Sequence, residues 1–147
     1  MADRITNLVR FVEIGVGFYN LKTPFYCKEV LGGLIDIGTH MSLLKLESGR
    51  FIVIDTCPLD PPAKKELDLL TVNGTLIDGV VATHPFHTTY FEPFRILYPN
   101  LKYYGTPRHI RNINTIDWAG DVSNEVVRAL WEPEVTLHII STRYLAV

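Results

Sequence analysis

Two histidines in the middle of the chain have the types and spacing of a candidate chemical site. His84 and His87 lie in the sequence THPFHTTY, directly after the apolar run of residues 80–82. A buried strand that ends in a polar loop brings such side chains to the carboxyl edge of a sheet, where ligand sites concentrate. Neutral imidazoles together with a carboxylate suit zinc and can activate a bound water. This loop is therefore a candidate metal or acid–base site.

Asp55 is the carboxylate that could complete this set. It ends the apolar run FIVI of residues 51–54, which follows the turn sequence ESGR and the leucine-rich run of residues 41–46. Two such runs around a short turn with glycine predict a β-hairpin. His84, His87 and Asp55 are thus the candidate metal ligands, with His109 or a partner chain as a further ligand. Because catalytic zinc normally has three protein ligands, a metal held by two histidines and one distant carboxylate would be bound weakly.

The same residues also have structural interpretations. His84 could end the strand through hydrogen bonds with the backbone, and Asp55 could accept backbone N–H groups in a turn. Single histidines without ligand spacing are expected to be structural or to lie at the surface; they are His40, His109 and His138. Aromatic side chains around the loop are expected to pack in the core; they are Phe86, Tyr90, Phe91, Phe94 and Tyr98.

The elements that must position this loop follow from local patterns. Asp60 and Pro61 fit the N-cap and first position of a helix that ends near residues 73–74, and residues 76–82 fit a buried strand. The next helix begins either with the capping-box spacing of Thr89 and Glu92 or at Pro93. The remaining expectations are strands at 11–19, 101–104 and 135–140, a short apolar piece at 34–37, loops at 20–33 and 112–120, and a short helix at 125–131. This order predicts a mixed sheet with helices on one face.

Composition and charge exclude several classes of protein. The chain has 147 residues, 47% hydrophobic and 20% charged, which are values of a globular domain with a core. A formal net charge of -2 argues against a binder of nucleic acid or of anionic membranes. No signal peptide and no membrane span is recognisable, which predicts a cytoplasmic protein. Cys27 and Cys57 lack the spacing of a redox or zinc motif and are expected to be free thiols.

The hairpin and the histidine loop together resemble the amino-terminal half of the metallo-β-lactamase fold superfamily. The residues that carry the resemblance are the sequence IDT at 54–56, which closes the hairpin, and VATHP at 81–85, which follows the next strand. In that superfamily a loop of the form T-H-x-H-x-D-H supplies metal ligands. Asp55 matches the structural aspartate, and His84 matches the first histidine. Aligned without gaps, the other ligand positions hold Phe86, Thr88 and Thr89; with a shift of one residue, His87 stands for the second histidine.

The runs at residues 87–94, 98–100 and 104–107 look closer to a divergent branch of this superfamily of unknown function, in which a lone histidine leads into an aromatic helix. The resemblance covers about residues 34–113. The resemblance implies an α/β (α+β) fold, namely a metallo-β-lactamase-like half-sandwich with a mixed β-sheet and helices on one face. It also implies that residues 1–147 form a single truncated domain, because the complete fold has a second half. The open sheet face would then need a second copy of the chain or a partner chain, unless the chain is a splice-shortened form.

The resemblance implies two functions. The first is a degenerate, non-catalytic domain that acts by binding or assembly and has no cofactor. The second is a metal-dependent hydrolase of esters, thioesters or phosphoesters, with zinc or another divalent metal at a non-standard site of His84, His87 and Asp55. The replaced ligand positions favour the first function, and they favour the structural interpretation of both histidines.

Overall fold

The computed structural model describes residues 10–140, which form a seven-stranded mixed sheet, a separate two-stranded sheet and four helices. Residues 1–9 and 141–147, which include the amino-terminal stretch where no signal peptide is recognisable, lie outside the described residues. The elements are β1 (Val12–Gly15), β2 (Phe18–Thr23), β3 (Tyr26–Lys28), β4 (Leu34–Asp36), β5 (Thr39–Lys45), β6 (Phe51–Ile54), α1 (Pro61–Thr71), β7 (Ile77–Val81), α2 (Phe91–Leu97), β8 (Tyr103–Gly105), α3 (Pro107–Asn112), β9 (Trp118–Asp121) and α4 (Glu125–Arg128).

The large sheet has the order β1-β2-β5-β6-β7-β8-β9, and its two halves are built differently. Strands β1, β2, β5 and β6 pair antiparallel, whereas β6, β7, β8 and β9 pair parallel. The connections between the parallel strands contain α1, α2 and α3. Parallel neighbours need such crossover connections because a tight turn cannot join them. The predicted α/β class with a mixed sheet and helices is confirmed.

One face of the sheet carries the main core. Met41, Leu43 and Val53 on the central strands pack with Leu67 of α1 and Phe91 of α2, and all five are buried. The helices α1 and α2 lie on this face because each connects two neighbouring parallel strands, β6 to β7 and β7 to β8. The core positions the histidine loop, because this loop joins the buried strand β7 to the helix α2, which packs Phe91 and Phe94 into the core.

The other face is covered only in part. Ile52 and Val81 pack there with Tyr104, Val127 and Trp131, so that α4 and the segment after it lie over the parallel half of the sheet. The ring of Trp131 is close enough to Gly79 that an added Cβ would come within 2.9 Å of it. The expectation of helices on one face therefore holds for α1, α2 and α3, while the single turn of α4 lies on the opposite face.

The predicted caps of α1 form as expected. The Asp60 side chain accepts a hydrogen bond from the backbone N–H of Ala63 at 2.9 Å, and Pro61 occupies the first turn. An N-cap of this kind satisfies a helix N–H group that has no partner within the helix. The helix α2 differs from the expectation, since it begins at Phe91 with Tyr90 as N-cap and no side-chain cap bond.

Two amino-terminal expectations are wrong. Residues 11–19 form two strands rather than one, because Gly17 adopts a φ of 69° and allows a turn between β1 and β2. The expected loop at 20–33 contains the rest of β2 and all of β3, which pairs with β4. Pairing partners distant in sequence decide these strands, and local composition does not show them.

Two carboxyl-terminal expectations are also wrong. The stretch 112–120 is expected to be a loop, but it contains most of the strand β9 (Trp118–Asp121). The residues just before it, 107–112, form the helix α3. The strand expected at 135–140 is absent from the described residues, where this segment is irregular and packs Val135 and Leu137 against the sheet. Among residues 10–140 no helix is long and apolar enough to span a membrane.

Candidate functional site

The carboxyl ends of β6 and β7 meet at the histidine loop. Because these strands are parallel neighbours, Asp55 after β6 lies beside Thr83 after β7. One oxygen of the Asp55 carboxylate accepts from the Thr83 backbone N–H at 2.8 Å, and the other accepts from the Thr83 hydroxyl. Asp55 has a φ of 54°, the left-handed conformation that aspartate tolerates better than most residues. Its carboxylate therefore ties two strand ends together.

His87 faces the same carboxylate more loosely. Its Nδ1 lies 4.0 Å from Oδ2 of Asp55, the distance of a loose ion pair, and its side chain is 53% exposed. Asp55, first as a hydrogen-bond acceptor and further as a negative charge, raises the pKa of His87 above the usual histidine value, against the opposing effect of partial burial. Asp55 thus favours the protonated ring.

His84 is oriented by the loop backbone. The backbone N–H of Phe86 donates to Nδ1 of His84 at 3.3 Å. In a neutral imidazole one nitrogen accepts and the other carries the proton, so this bond assigns the proton of His84 to Nε2. The rings of His84 and His87 lie with their centroids 4.8 Å apart, tilted by 36°. The two histidines therefore form one pair at the surface of the loop.

His109 is a buried structural residue, as the sequence predicts. Its Nε2 lies 2.9 Å from the carbonyl oxygen of His87, and its Nδ1 lies 2.7 Å from the hydroxyl of Thr106. The ring also packs edge-on against Phe91 at 4.8 Å. Burial lowers the pKa of His109 below the usual value, which keeps the ring neutral. Both nitrogens are bound to the protein, so His109 fixes the backbone of the histidine loop.

The side chains present do not fit a zinc ion in this arrangement. Asp55 is bound to Thr83, Nδ1 of His84 accepts from the backbone, and His109 has protein partners at both nitrogens. Within residues 10–140 no group of three or more His, Cys, Asp or Glu side chains is arranged to hold a metal ion. The assignment of His84, His87 and Asp55 as ligands stays a prediction that this geometry does not support.

Two open cavities flank the histidine pair. The larger, of about 600 Å³, lies between the ends of β7–β9 and the segment 137–140, and exposed His138 lines it together with Arg128. The smaller, of about 240 Å³, lies between the β3–β4 hairpin and the histidine loop. Both His84 and His87 line each cavity. The loop is thus placed to contact a ligand on either side.

Sequence reasoning missed several residues of this site. Phe86 is 50% exposed and, with Tyr90, lines the smaller cavity, whereas the other predicted core aromatics, Phe91, Phe94 and Tyr98, are buried. Phe25 reaches the cavity from the hairpin side, and no sequence pattern links it to the loop. Thr83 had a local signal, since a hydroxyl residue directly after a buried strand is suited to bind the neighbouring strand end.

The two cysteines are free thiols, as predicted. Cys57 is buried, and this burial, as the main cause, raises its pKa to about 12. A thiol is reactive as the thiolate, which Cys57 does not form near neutral pH. Cys57 is therefore a packing residue beside Asp55 and contributes no nucleophile to the site.

Comparisons with solved structures identify the fold. No protein-family model matches the chain, and no curated protein matches it. The metallo-β-lactamase FIM-1 from Pseudomonas aeruginosa, in its mono-zinc form, matches with a TM-score of 0.54 and 14% identity, over 84% of this chain and 55% of that one. A metallo-β-lactamase from Hirschia baltica matches with a TM-score of 0.52 and 13% identity, over 76% of this chain and 50% of that one. The metallo-β-lactamase DIM-1, exposed to ceftazidime, matches with a TM-score of 0.51 and 16% identity over the same shares.

The chain therefore has the metallo-β-lactamase fold, as the hairpin and the histidine loop predict. It spans about half the length of the solved structures that it matches. Identities of 13–16% establish the shared fold and leave the activity to be argued from the site.

Proposed function

We propose that this chain is a degenerate metallo-β-lactamase-fold domain that acts by binding and does not hydrolyse a substrate. One observation carries the proposal: the carboxylate and the buried histidine of the site are bound to protein groups that hold the loop in place. Asp55 accepts from two groups of Thr83, and His109 binds Thr106 and the backbone of His87. These side chains serve to position the loop.

The exposed histidine pair is the part of the site that is free to contact a ligand. His84 and His87 stand at the mouths of two cavities, and no described residue binds Nε2 of either ring. An imidazole N–H is a hydrogen-bond donor for an oxygen atom, whereas a metal needs the lone pair of the nitrogen. The protonation that Asp55 and Phe86 favour supports recognition of a ligand oxygen.

Metal content and hydrolysis test this proposal. The protein is purified without chelator, incubated with zinc, iron or manganese, and desalted, and its bound metal is measured by mass spectrometry beside His84→Ala. We expect less than about 0.1 metal ion per chain. A metal held by two histidines and one distant carboxylate is bound weakly and is lost on desalting. We expect the protein to hydrolyse ester, thioester and phosphoester substrates no faster than buffer alone does.

Near-stoichiometric metal that His84→Ala removes, together with hydrolysis that it abolishes, would overturn the proposal in favour of a metal-dependent hydrolase. Exposed His40, which is not among the residues that line either cavity, provides the matched control. His40→Ala must retain whatever metal or activity the parent shows.

We further propose that a partner chain, a second copy or another protein, covers the open part of the second sheet face. The cross-strand row Val12, Asn20, Ser42 and Ile54 lies on this face, and the described part of the segment after α4 packs with the parallel strands of the sheet. Val12 is 57% exposed. Light scattering should give a mass above the 16.7 kDa of one chain. A folded monomer that binds no hydrophobic dye would contradict this assembly.

A further inference from the structure

Arg128 is a fixed cation that the described residues leave without an anion. It ends α4, and its Nη1 donates to the carbonyl oxygen of Ser123 at 2.6 Å and to that of Val122 at 3.1 Å. Within residues 10–140 no carboxylate forms an ion pair with it, although Glu125 and Glu132 are close in sequence. An arginine guanidinium does not lose its proton in proteins, so this charge does not depend on pH.

The unbound edge of this guanidinium is the edge that recognises an anion. Nη1 uses its hydrogens on the two carbonyl groups, and no acceptor among residues 10–140 binds Nε or Nη2. The Nε–H and one Nη2–H point in the same direction along one side of the planar group. This pair of parallel donors matches two oxygens of a carboxylate or a phosphate. Because the carbonyl bonds hold the group in one orientation, this edge is preorganised.

The larger cavity, which Arg128 lines, has aliphatic walls. They come from the ends of β7 and β9 and from the segment 137–140, and the side chains that form them include Val81, Ala82, Val122, Leu137 and Ile139. Among the described residues no aspartate or glutamate lines this cavity, and no phenylalanine, tyrosine or tryptophan does. The other polar lining residues are threonines and histidines. The cavity therefore combines one permanent positive charge with aliphatic surface.

This combination suits a ligand that has one anionic group and an aliphatic chain. Aliphatic walls favour a ligand in proportion to the apolar area that leaves water, and they offer no ring for stacking. A cation in an apolar wall is stabilised when an anion pairs with it. The cavity of about 600 Å³ corresponds to roughly twenty waters of liquid volume, which is room for the roughly twelve non-hydrogen atoms of a ten-carbon acid.

We propose that the larger cavity, between the ends of β7–β9 and the segment 137–140, binds an amphipathic anion whose head group pairs with Arg128. The Nε–H and Nη2–H groups donate to two oxygens of a carboxylate or phosphate head group, and the aliphatic chain lies along Val81, Leu137 and Ile139. The inference rests on the proposed function, because it gives a ligand to one of the two cavities that the histidine pair flanks.

Decanoate is the probe that tests this ligand class. Calorimetric titration of the full chain, below the concentration at which micelles form, should show saturable binding. Amide chemical shifts should change most at residues 81–84, 122–128 and 137–140. Octanoate should bind about tenfold more weakly, because fewer methylene groups are buried. 1-Decanol has the chain without the charge and should also bind at least about tenfold more weakly.

Decyl phosphate distinguishes the two head groups that the donor edge of Arg128 accepts. Tighter binding of decyl phosphate than of decanoate would assign a phosphate head group, and the reverse order would assign a carboxylate. Either order supports an amphipathic anion as the ligand. Decyltrimethylammonium, which has the same chain and a positive charge, should not show saturable binding.

Substitutions of Arg128 separate its charge from its bonds to the backbone. Arg128→Gln removes the charge and keeps a side-chain N–H donor, and it should weaken decanoate binding by at least about tenfold. Arg128→Lys keeps the charge and loses the planar fork, so it should bind more tightly than Arg128→Gln and more weakly than the parent. Arg95→Gln is the matched control and should leave the affinity unchanged, because Arg95 also lies in the last turn of a short helix but does not line this cavity.

A substitution in the aliphatic wall locates the chain of the ligand. Ile139→Asp places a carboxylate in this wall and should weaken decanoate binding by at least about tenfold, through repulsion and the loss of apolar contact. Ile96→Asp is the matched control, because Ile96 is exposed on α2 and is not among the residues that line this cavity. Far-UV circular dichroism establishes that each variant is folded.

Absence of saturation by both decanoate and decyl phosphate in the folded parent would overturn the ligand assignment. Equal affinity for 1-decanol or decyltrimethylammonium would do the same, as would undiminished binding in Arg128→Gln or Ile139→Asp. These results differ from failure of the proposed function, which appears as bound metal together with hydrolysis. A protein that neither hydrolyses a substrate nor binds either amphiphile would retain the proposed function and lose this ligand class.

Discussion

Two contrasting histidine environments meet at the histidine loop, although His109 on α3 lies 22 residues beyond His87 in the chain. His109 is fully buried, has a protein partner at each ring nitrogen and packs against Phe91. His84 and His87 are exposed, and both of them line the two cavities. The same side-chain chemistry thus serves as a structural anchor in one place and as a contact surface in the other. Burial and the number of protein partners, rather than the residue type, separate the two roles.

The difference shows how hydrogen bonds within the protein hold the histidine loop in place. In a metal site, the ion itself holds its ligands together, and the folding energy includes the binding energy. Here the carbonyl of His87 binds His109, and the backbone of Thr83 binds Asp55. Internal hydrogen bonds fix both ends of the loop, so its exposed histidines are available for a ligand.

Removal of the anchor should have the largest effect on stability. His109→Ala creates a cavity beside Phe91 and Trp118 and leaves the carbonyl of His87 and the hydroxyl of Thr106 without their partner. We expect the free energy of unfolding to fall by about 3 kcal/mol or more. Urea denaturation measures this change. A loss below about 1 kcal/mol would show that His109 is not the anchor of the loop.

Weakening the tie between the strand ends should have the next largest effect. Asp55→Asn replaces a carboxylate that accepts from the Thr83 N–H and hydroxyl, so one acceptor is lost and the other loses its charge. We expect the free energy of unfolding to fall by about 2 kcal/mol. The control is Asp117→Asn, because Asp117 is exposed. Equal effects of the two substitutions in urea denaturation would refute the role of Asp55.

The two environments should respond to pH in opposite directions. Burial lowers the pKa of His109, so below about pH 6.5 the unfolded chain binds a proton that the folded chain excludes, and this contribution to stability falls as the pH falls. Asp55 raises the pKa of His87, so its contribution is complete below about pH 6.5 and is lost as the pH rises through the folded-state pKa.

The pH prediction is checked by unfolding from pH 5 to pH 8 in the parent and in His109→Gln, which cannot titrate. The variant should lose the decline in stability towards pH 5 that the buried histidine causes. His87→Gln should instead lose the decline towards high pH. Identical pH profiles of the parent and both variants would contradict the contrast between the two histidines.

Truncation of an exposed histidine should have the smallest effect on stability. His84→Ala removes an exposed ring that accepts one hydrogen bond from the backbone N–H of Phe86, so we expect a change in the free energy of unfolding within about 0.5 kcal/mol. A loss of stability as large as that of His109→Ala would show that His84 holds the loop in place and is not free to contact a ligand.

Local patterns determined a large part of the fold. The two apolar runs around the sequence ESGR gave the hairpin of β5 and β6, and Asp60 with Pro61 gave the start of α1. The apolar run at 80–82 gave the buried strand before the histidine loop. Turn chemistry, caps and hydrophobic runs act within a few residues, so the sequence shows them directly.

The remaining features of the fold and of the site depend on contacts between distant segments. The strands β3 and β9 exist through pairing, and the segment at 135–140 packs on the sheet instead of forming the expected strand. His84, His87 and Asp55 could be named from the sequence as neighbours of one loop. That Asp55 binds Thr83, that His109 is buried beneath the loop and that Phe25 closes a cavity beside it are consequences of packing, because burial selects the hydrogen-bond partners of each group.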